Sequence, residues 1–390
     1  MSYVLRDYQQ KASDAAVSFF ANKTKRNNAI MVLPTGAGKS LVIADIASRL
    51  EGHTLVFQPS KEILEQNYLK LCSYGILDCS VYSASFGRKD ISRITFATIG
   101  SVKNHPELFQ HFRNIIIDEC HLVNPKEGMY KDFLTMLQCK VLGLTATPYR
   151  LSSSRDFGSM LKFITRTRPC VFSEVIYQVQ ISTLLDMGYL SKLNYYAMNP
   201  LGWNELNLKV NTTGADYTDK SVVKEYERID FYGFLVSIVR RLMNPKVGGK
   251  RKGILVFTRF LKEAQRLTQS IPGTAIVSGD TPKKERERIL EEFKAGEIPV
   301  VANVGVLTTG FDYPELDTIV MARPTMSLAL WYQIVGRAIR PHPTKEAGWI
   351  VDLCGNIKRF GEVKDLRLVN GGNGKWAVFS NNRQLTNVRF

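Results

Sequence analysis

The chain has 390 residues, 44% of them apolar and 23% charged, which is enough for two to three domains of about 150 residues with ordinary globular cores. Lysine and arginine number 52 against 36 acidic residues, a net charge of +16 that points to a polyanionic partner, nucleic acid first. Apolar runs such as Ile115-Ile116-Ile117 fall far short of the ~20 residues of a membrane span, the first residues lack a signal-peptide pattern, and six scattered cysteines without a C-x-x-C pair disfavour zinc sites. The expectation is a cytoplasmic protein without membrane association, its thiols reduced and buried.

In chain order, short β-branched runs alternate with amphipathic stretches. Ala29–Leu33, Thr54–Phe57, Ile94–Ala97, Ile115–Ile117 and Val141–Leu144 are predicted strands. Their continuous apolar character suits a parallel sheet covered on both faces. Val42, Ile43, Ile46, Ala47 and Leu50 recur at helical spacing, and Gly52 stops that helix. Residues 1–190 are therefore read as one α/β lobe. Residues 199–225 are polar and aperiodic, so 191–228 is read as a connector. A helix follows, with Phe231, Phe234, Leu235, Ile238, Val239 and Leu242 on one face.

From Gly253 a second alternation begins. Ile254–Phe257, Ala275–Val277, Val300–Ala302, Thr318–Met321 and Trp349–Val351 are predicted strands. One helix between them has Thr281 as N-cap, Pro282 at its first position and Gly296 just past its end. This gives a second lobe, 229–365, and a basic tail, 366–390, in which Arg367, Lys375, Arg383 and Arg389 have no acidic neighbour. Two β-α-β alternations imply two open parallel sheets in tandem, with ligands at the C-terminal ends of the strands.

Between the first strand and its helix stands Pro34-Thr35-Gly36-Ala37-Gly38-Lys39-Ser40. Strand, Gly-rich loop and helix in that order suit phosphate binding. Amide groups and the helix dipole face the phosphates, Lys39 supplies a charge to the β- and γ-phosphates, and the Ser40 hydroxyl reaches Mg²⁺. Leu33 stands where the generic eight-residue pattern has glycine, and an ordinary tight turn is the competing reading. Ile115 to His121 then ends an apolar strand in two carboxylates. Asp118 would hold Mg²⁺, Glu119 would orient and deprotonate water, and His121 would sense the γ-phosphate. The rival is a solvated strand end. Thr145-Ala146-Thr147 closes another strand, with hydroxyls placed to bond between the lobes. Leu328 to Arg340 is predicted as a helix carrying Gln333, Arg337 and Arg340 on one face, with Gly336 allowing close approach. Two arginines in the second lobe fit an arginine finger; a basic surface helix is the alternative.

With these residues in place, the chain resembles superfamily 2 helicases of the DEAD/DEAH-box type, with two RecA-like lobes of the P-loop NTPase fold, over about residues 5–365. Leu5-Arg6-Asp7-Tyr8-Gln9 is similar to the upstream Q-type motif, which implies adenine recognition by Gln9 with Arg6 beside it. Thr35 to Ser40, through Gly36, Ala37 and Gly38, is motif I, and Gln58 to Gln66 resembles motif Ia. Thr98-Ile99-Gly100-Ser101 sits at motif Ib, Asp118 to His121 is a DECH form of motif II, and Thr145 to Thr147 is motif III. Val256-Phe257-Thr258 resembles motif IV, Leu307 to Asp312 motif V, and Gln333-x-x-Gly336-Arg337-x-x-Arg340 motif VI. Asp186 to Leu190 and Val351 to Asn356, followed by Arg359-Phe360-Gly361, look like the RadD-type bacterial repair helicases. The chain departs from that group in having no cysteine-rich segment after motif VI and in Val304, where many relatives carry Thr.

The resemblance implies an ATP- and Mg²⁺-dependent motor on DNA, in repair, recombination or fork processing. Single-stranded, forked or branched DNA would be the partner, together with repair or replication proteins. Gly310 and Asp312 would join the ATP site. Pro59, Ser60, Thr98, Gly100, Thr258, Arg259, Thr308 and Thr309 would contact the nucleic-acid backbone. An RNA helicase and an ATP-gated clamp or remodelling subunit without unwinding activity are the alternatives.

Overall fold

The structure is a computed structural model that describes residues 3–24, 27–137, 139–154, 158–198, 206–212, 215–245, 251, 253–307 and 313–388. Thr308, Thr309, Gly310, Phe311 and Asp312 of motif V, and Arg389 of the tail, lie outside the described residues.

The first lobe runs α1 (Asp7–Ala21), β1 (Ala29–Val32), α2 (Lys39–Arg49), β2 (Thr54–Phe57), α3 (Lys61–Ser73), β3 (Cys79–Ser83), β4 (Arg88–Lys89), β5 (Ile94–Ala97), α4 (Ile99–Val102), β6 (Asn114–Asp118), α5 (Met129–Leu137), β7 (Lys140–Thr145), β8 (Tyr149–Ser154), β9 (Gly158–Phe163), β10 (Glu174–Gln178) and α6 (Ile181–Asp186). Among the described residues its sheet has the order β10-β1-β7-β6-β2-β5-β3-β4, parallel except for β4. Every residue of β1, β2, β5 and β6 is buried, which is why their sequences are apolar without alternation. β8 and β9 form a separate antiparallel hairpin.

The chain continues through β11 (Lys192–Ala197), α7 (Asp219–Arg228), α8 (Phe231–Met243), β12 (Ile254–Thr258), α9 (Leu261–Ser270), β13 (Thr274–Val277), α10 (Lys283–Ala295), β14 (Val300–Val304), β15 (Thr318–Ala322), α11 (Leu328–Val335), β16 (Ala347–Asp352) and α12 (Asn356–Phe360). The second sheet is parallel, in the order β11-β16-β15-β12-β14-β13. The last residues form β17 (Leu366–Asn370), β18 (Trp376–Ser380) and β19 (Arg383–Gln384), an antiparallel sheet.

Several sequence expectations change. The connector 191–228 largely belongs to the second lobe. β11 pairs with β16 from Lys192 opposite Ala347 to Ala197 opposite Asp352. α7 buries Val222 and Tyr226 in the core, and the Tyr226 hydroxyl donates to the Ala322 carbonyl (2.9 Å). β11 is an edge strand with polar Lys192 and Asn194, so it lacks the apolar run that marks the inner strands. Over its described residues, 366–388, the tail is a folded sheet docked on the first lobe. The Gln180 side chain donates to the Leu368 carbonyl (2.8 Å) and accepts from its amide (3.0 Å), and the Asn387 side chain accepts from the Phe163 amide (3.1 Å).

Helix α11 stops at Val335, so Arg337 and Arg340 lie in the turn beyond it and not on a helical face. The carbonyls that would continue the helix are taken elsewhere: Ala338 by the Lys345 ammonium, Ile339 by the Ser191 amide and Arg340 by the Ser191 hydroxyl. Helix α10 starts at Lys283, one residue later than expected, because the Thr281 hydroxyl turns back to accept from Ser278. The six cysteines are free, but only Cys120 is buried and Cys170 is exposed. Among the described residues no helix is long and apolar enough to cross a membrane.

Candidate active site between the lobes

The phosphate loop leaves the buried strand β1 and enters α2. Gly36 and Gly38 take left-handed backbone, with φ +84° and +77°. A Cβ at Gly38 would lie 2.5 Å from Gln9 Nε2, and one at Gly36 would lie 2.8 Å from Leu190 Cδ2. Side chains of α1 hold the loop from outside. The Tyr8 hydroxyl and the Gln9 amide each donate to the Ala37 carbonyl (2.9 Å), and Gln9 Oε1 accepts from the Arg6 amide (3.0 Å). Arg6 lies 4.1 Å over the Tyr189 ring. Tyr8 and Tyr189 were not singled out in the sequence. Tyr8 adjoins Gln9, but Tyr189 carries no chemical signal of its own.

Strand β6 delivers the acidic box to the same place. Asp118 is buried, and its Oδ1 accepts from the Glu119 amide (2.9 Å). Glu119 takes left-handed backbone (φ +49°), a conformation that costs a non-glycine residue roughly 1–2 kcal/mol. That turn aims its carboxylate at Lys39 Nζ (3.1 Å) and sets the other oxygen 3.3 Å from His121 Nδ1. Burial and then the Glu119 charge push the Asp118 carboxyl up to about 7. Burial works against Glu119 too, but Lys39 and His121 outweigh it and hold Glu119 well below the usual range. Burial pulls the Lys39 ammonium down, and the Glu119 and Asp118 charges more than reverse that.

His121 Nδ1 lies 2.9 Å from Thr145 Oγ1 and 3.1 Å from Thr147 Oγ1. The Thr-Ala-Thr hydroxyls thus bond within the first lobe to the acidic box, and not between lobes as expected. Both threonines are fully buried.

The second lobe closes the site. Gly336 presses on the loop so closely that a Cβ there would sit 2.8 Å from Thr35 Cγ2. Ile339 and Arg340 lie against Gly36. Arg337 is buried and feels the charges of both Lys39 and Glu119. Burial lowers its guanidinium to about 10, with Glu119 opposing. Burial lowers Arg340 as well. Gln333 is half-buried on α11. Lys39, Asp118, Glu119, His121, Arg337 and Arg340 therefore converge from both lobes. For a divalent cation, the donor set is one buried carboxylate raised by desolvation plus the Ser40 hydroxyl in the first turn of α2. This fits Mg²⁺, which takes few protein ligands and completes its shell with phosphates and water.

The expected nucleic-acid contacts divide. Ser60 caps α3, Thr98 precedes α4, and Gly100 faces open space. Pro59 is half-buried beside Ser60. Thr258 is fully buried, and its hydroxyl donates to the Asn303 carbonyl (3.3 Å). The Arg259 side chain is 9% exposed, bonded to Asp216 (3.1 Å), Asp219 (2.8 Å) and the Tyr217 carbonyl (2.7 Å). Neither is a surface contact: packing withdraws the first, and carboxylates about 40 residues upstream occupy the second.

Two family profiles match the chain: "Type III restriction enzyme, res subunit" over residues 2–150 and "Helicase conserved C-terminal domain" over residues 236–342. The chain is 25% identical over 390 residues to the ATP-dependent helicase IRC3 of Saccharomyces cerevisiae, covering 90% of this chain and 52% of that protein. It is 26% identical to the DNA 3'-5' translocase XPB2 of Sulfurisphaera tokodaii, covering 86% of this chain and 78% of that one. The chain spans about half the length of several curated relatives it matches. Among solved structures it resembles the ATP-dependent Type ISP restriction-modification enzyme LlaBIII bound to DNA. That TM-score is 0.65 at 18% identity, over 90% of this chain and 28% of that one. The fold is that of tandem RecA-like lobes.

Proposed function

We propose that the chain is a superfamily 2 helicase, a nucleic-acid-dependent ATPase that moves along or unwinds DNA, a reading supported by its two helicase-type profile matches and its similarity to ATP-dependent helicases and translocases. The observation that carries this reading is the approach of Arg337 and Gly336, from the second lobe, onto Lys39, Glu119 and Thr35 of the first. A hydrolytic site built from both lobes works only when they meet, so turnover and lobe closure are one event.

Bound Mg²⁺ would draw charge from the β- and γ-phosphates of ATP. Lys39 exchanges its bond with Glu119 for the phosphates, which frees the carboxylate. Glu119, released from Lys39 and still beside His121, orients water and takes its proton. His121, anchored on Thr145 and Thr147, fixes the angle of that carboxylate. Arg337 and Arg340 offset charge on the transferred group, a role worth about 10³–10⁵ in rate.

Named relatives that act on DNA, and the RadD-like phrases of the sequence, favour DNA over RNA. The RadD subtype, a role in repair, and contacts at Pro59, Ser60, Thr98 and Gly100 belong to the same proposal. The test is ATP turnover on single-stranded, forked and duplex DNA and on RNA, with strand displacement measured on the fork. Stimulation by DNA with displacement supports the motor. Stimulation by RNA alone would give an RNA helicase, and stimulation without movement an ATP-gated clamp.

A further inference from the structure

The side chain of Lys345 is buried, and no part of the chemistry above uses it. Its ammonium meets three backbone carbonyls: Pro314 (2.8 Å), Leu316 (3.2 Å) and Ala338 (3.0 Å). Three donors on three acceptors satisfy the group completely, and a lysine is the side chain that offers three from one atom. Two of those carbonyls belong to the segment that leads into β15. The third belongs to the turn between Arg337 and Arg340.

We propose that Lys345 is a positioning residue for ATP hydrolysis, tying the turn that presents Arg337 and Arg340 to the segment that ends in Leu316. The inference rests on the ATPase reading above. A second observation supports it. Gly348, on β16, leaves no room beneath the same turn: a Cβ there would lie 2.6 Å from the Ala338 oxygen and 2.7 Å from Leu193 Cδ2. The turn is thus seated on the sheet by a glycine and held by a lysine, and small shifts of it move both arginines together.

The charge state of Lys345 gives a readout that packing alone would not. Burial lowers it to about 8, with Asp317 opposing and Arg340 reinforcing the shift. The protonated form is the one with three donors, so the clamp weakens as pH rises through that value.

The test compares Lys345→Met and Lys345→Arg in the full chain, at saturating single-stranded DNA, alone and combined with Arg340→Ala. A misplacement of about 1 Å costs on the order of 100-fold. Lys345→Met should therefore lose roughly 10- to 100-fold in kcat, with KM for ATP within about threefold and a smaller further loss in the Arg340→Ala background, where only Arg337 is left to misplace. Lys345→Arg, always charged, should keep most of the rate and lose the alkaline limb near pH 8. Wild-type kcat in Lys345→Met, or losses that multiply with those of Arg340→Ala, would overturn the proposal. If Lys345→Met does not fold, the pH profile of Lys345→Arg decides alone, an unchanged limb counting against it. A wild-type chain without turnover would instead overturn the ATPase reading.

Discussion

At the scale of single residues, two adjacent carboxylates are pushed in opposite directions. Glu119 is held down by Lys39 and His121, while burial and that same charge push Asp118 up. Replacing Glu119 by Gln should leave ATP binding within about threefold and cut turnover by roughly 10²–10⁴, the usual worth of a positioned base. Single-turnover hydrolysis against equilibrium nucleotide binding measures both; normal turnover would place the base elsewhere. Glu263 gives a different prediction. It is fully buried, its Oε2 accepts from the Phe260 amide (2.9 Å), and burial raises it to about 7. A raised carboxyl stabilises the fold least when ionised: its contribution is complete below about pH 4.5 and is lost as pH rises toward 7. Denaturant titrations of wild type and Glu263→Gln should diverge over that window by on the order of 3 kcal/mol. Parallel curves would refute the assignment. Lys39, Asp118 and Glu119 were legible because their spacing along strand, loop and helix is local. The fate of Arg259 was not, since Asp216 and Asp219 are brought to it only by the fold.

Elements divide in the same way. The inner strands of both sheets announce themselves as continuous apolar runs because both faces are covered. The edge strand β11 and strand β17 do not, because each is partly exposed and breaks its apolar residues with polar ones. The turn of the arginines was misread as helix since helical spacing continues in the sequence past Val335. What ends the helix is tertiary, in Ser191 and Lys345. The C-terminal sheet follows the second lobe in the chain and docks on the first, so it forms a second tie between them. Gln180 makes two of its bonds, to the amide and carbonyl of Leu368. Gln180→Ala should cost about 1–3 kcal/mol, from two net hydrogen bonds of roughly 0.5–1.5 each. Hydrogen exchange should localise the loss to residues 366–380. Protection unchanged there would show that the sheet docks without it.

Over the whole molecule, the +16 charge is spread along both lobes and not gathered in one tract. A track of that kind contacts backbone phosphates and tolerates sequence. Binding to single-stranded DNA should therefore weaken with salt by about 0.7 log units per tenfold salt for each phosphate neutralised, with little dependence on base composition. A titration in which affinity is flat between low and moderate salt would contradict a backbone track. The sequence carried the two-lobe plan and the order of the motifs. It did not carry the seating of the second lobe, since Gly336 on Thr35 and Arg337 beside Glu119 are contacts between residues some 200–300 positions apart.

The most direct test of a hydrolytic site shared by two lobes is steady-state ATP turnover of wild type and Arg337→Ala, each with and without single-stranded DNA. Turnover that rises with DNA in the wild type and falls by about 10³ or more in the variant, with ATP still bound, is the predicted result. DNA-independent turnover, or an Arg337→Ala chain as active as wild type, would contradict it.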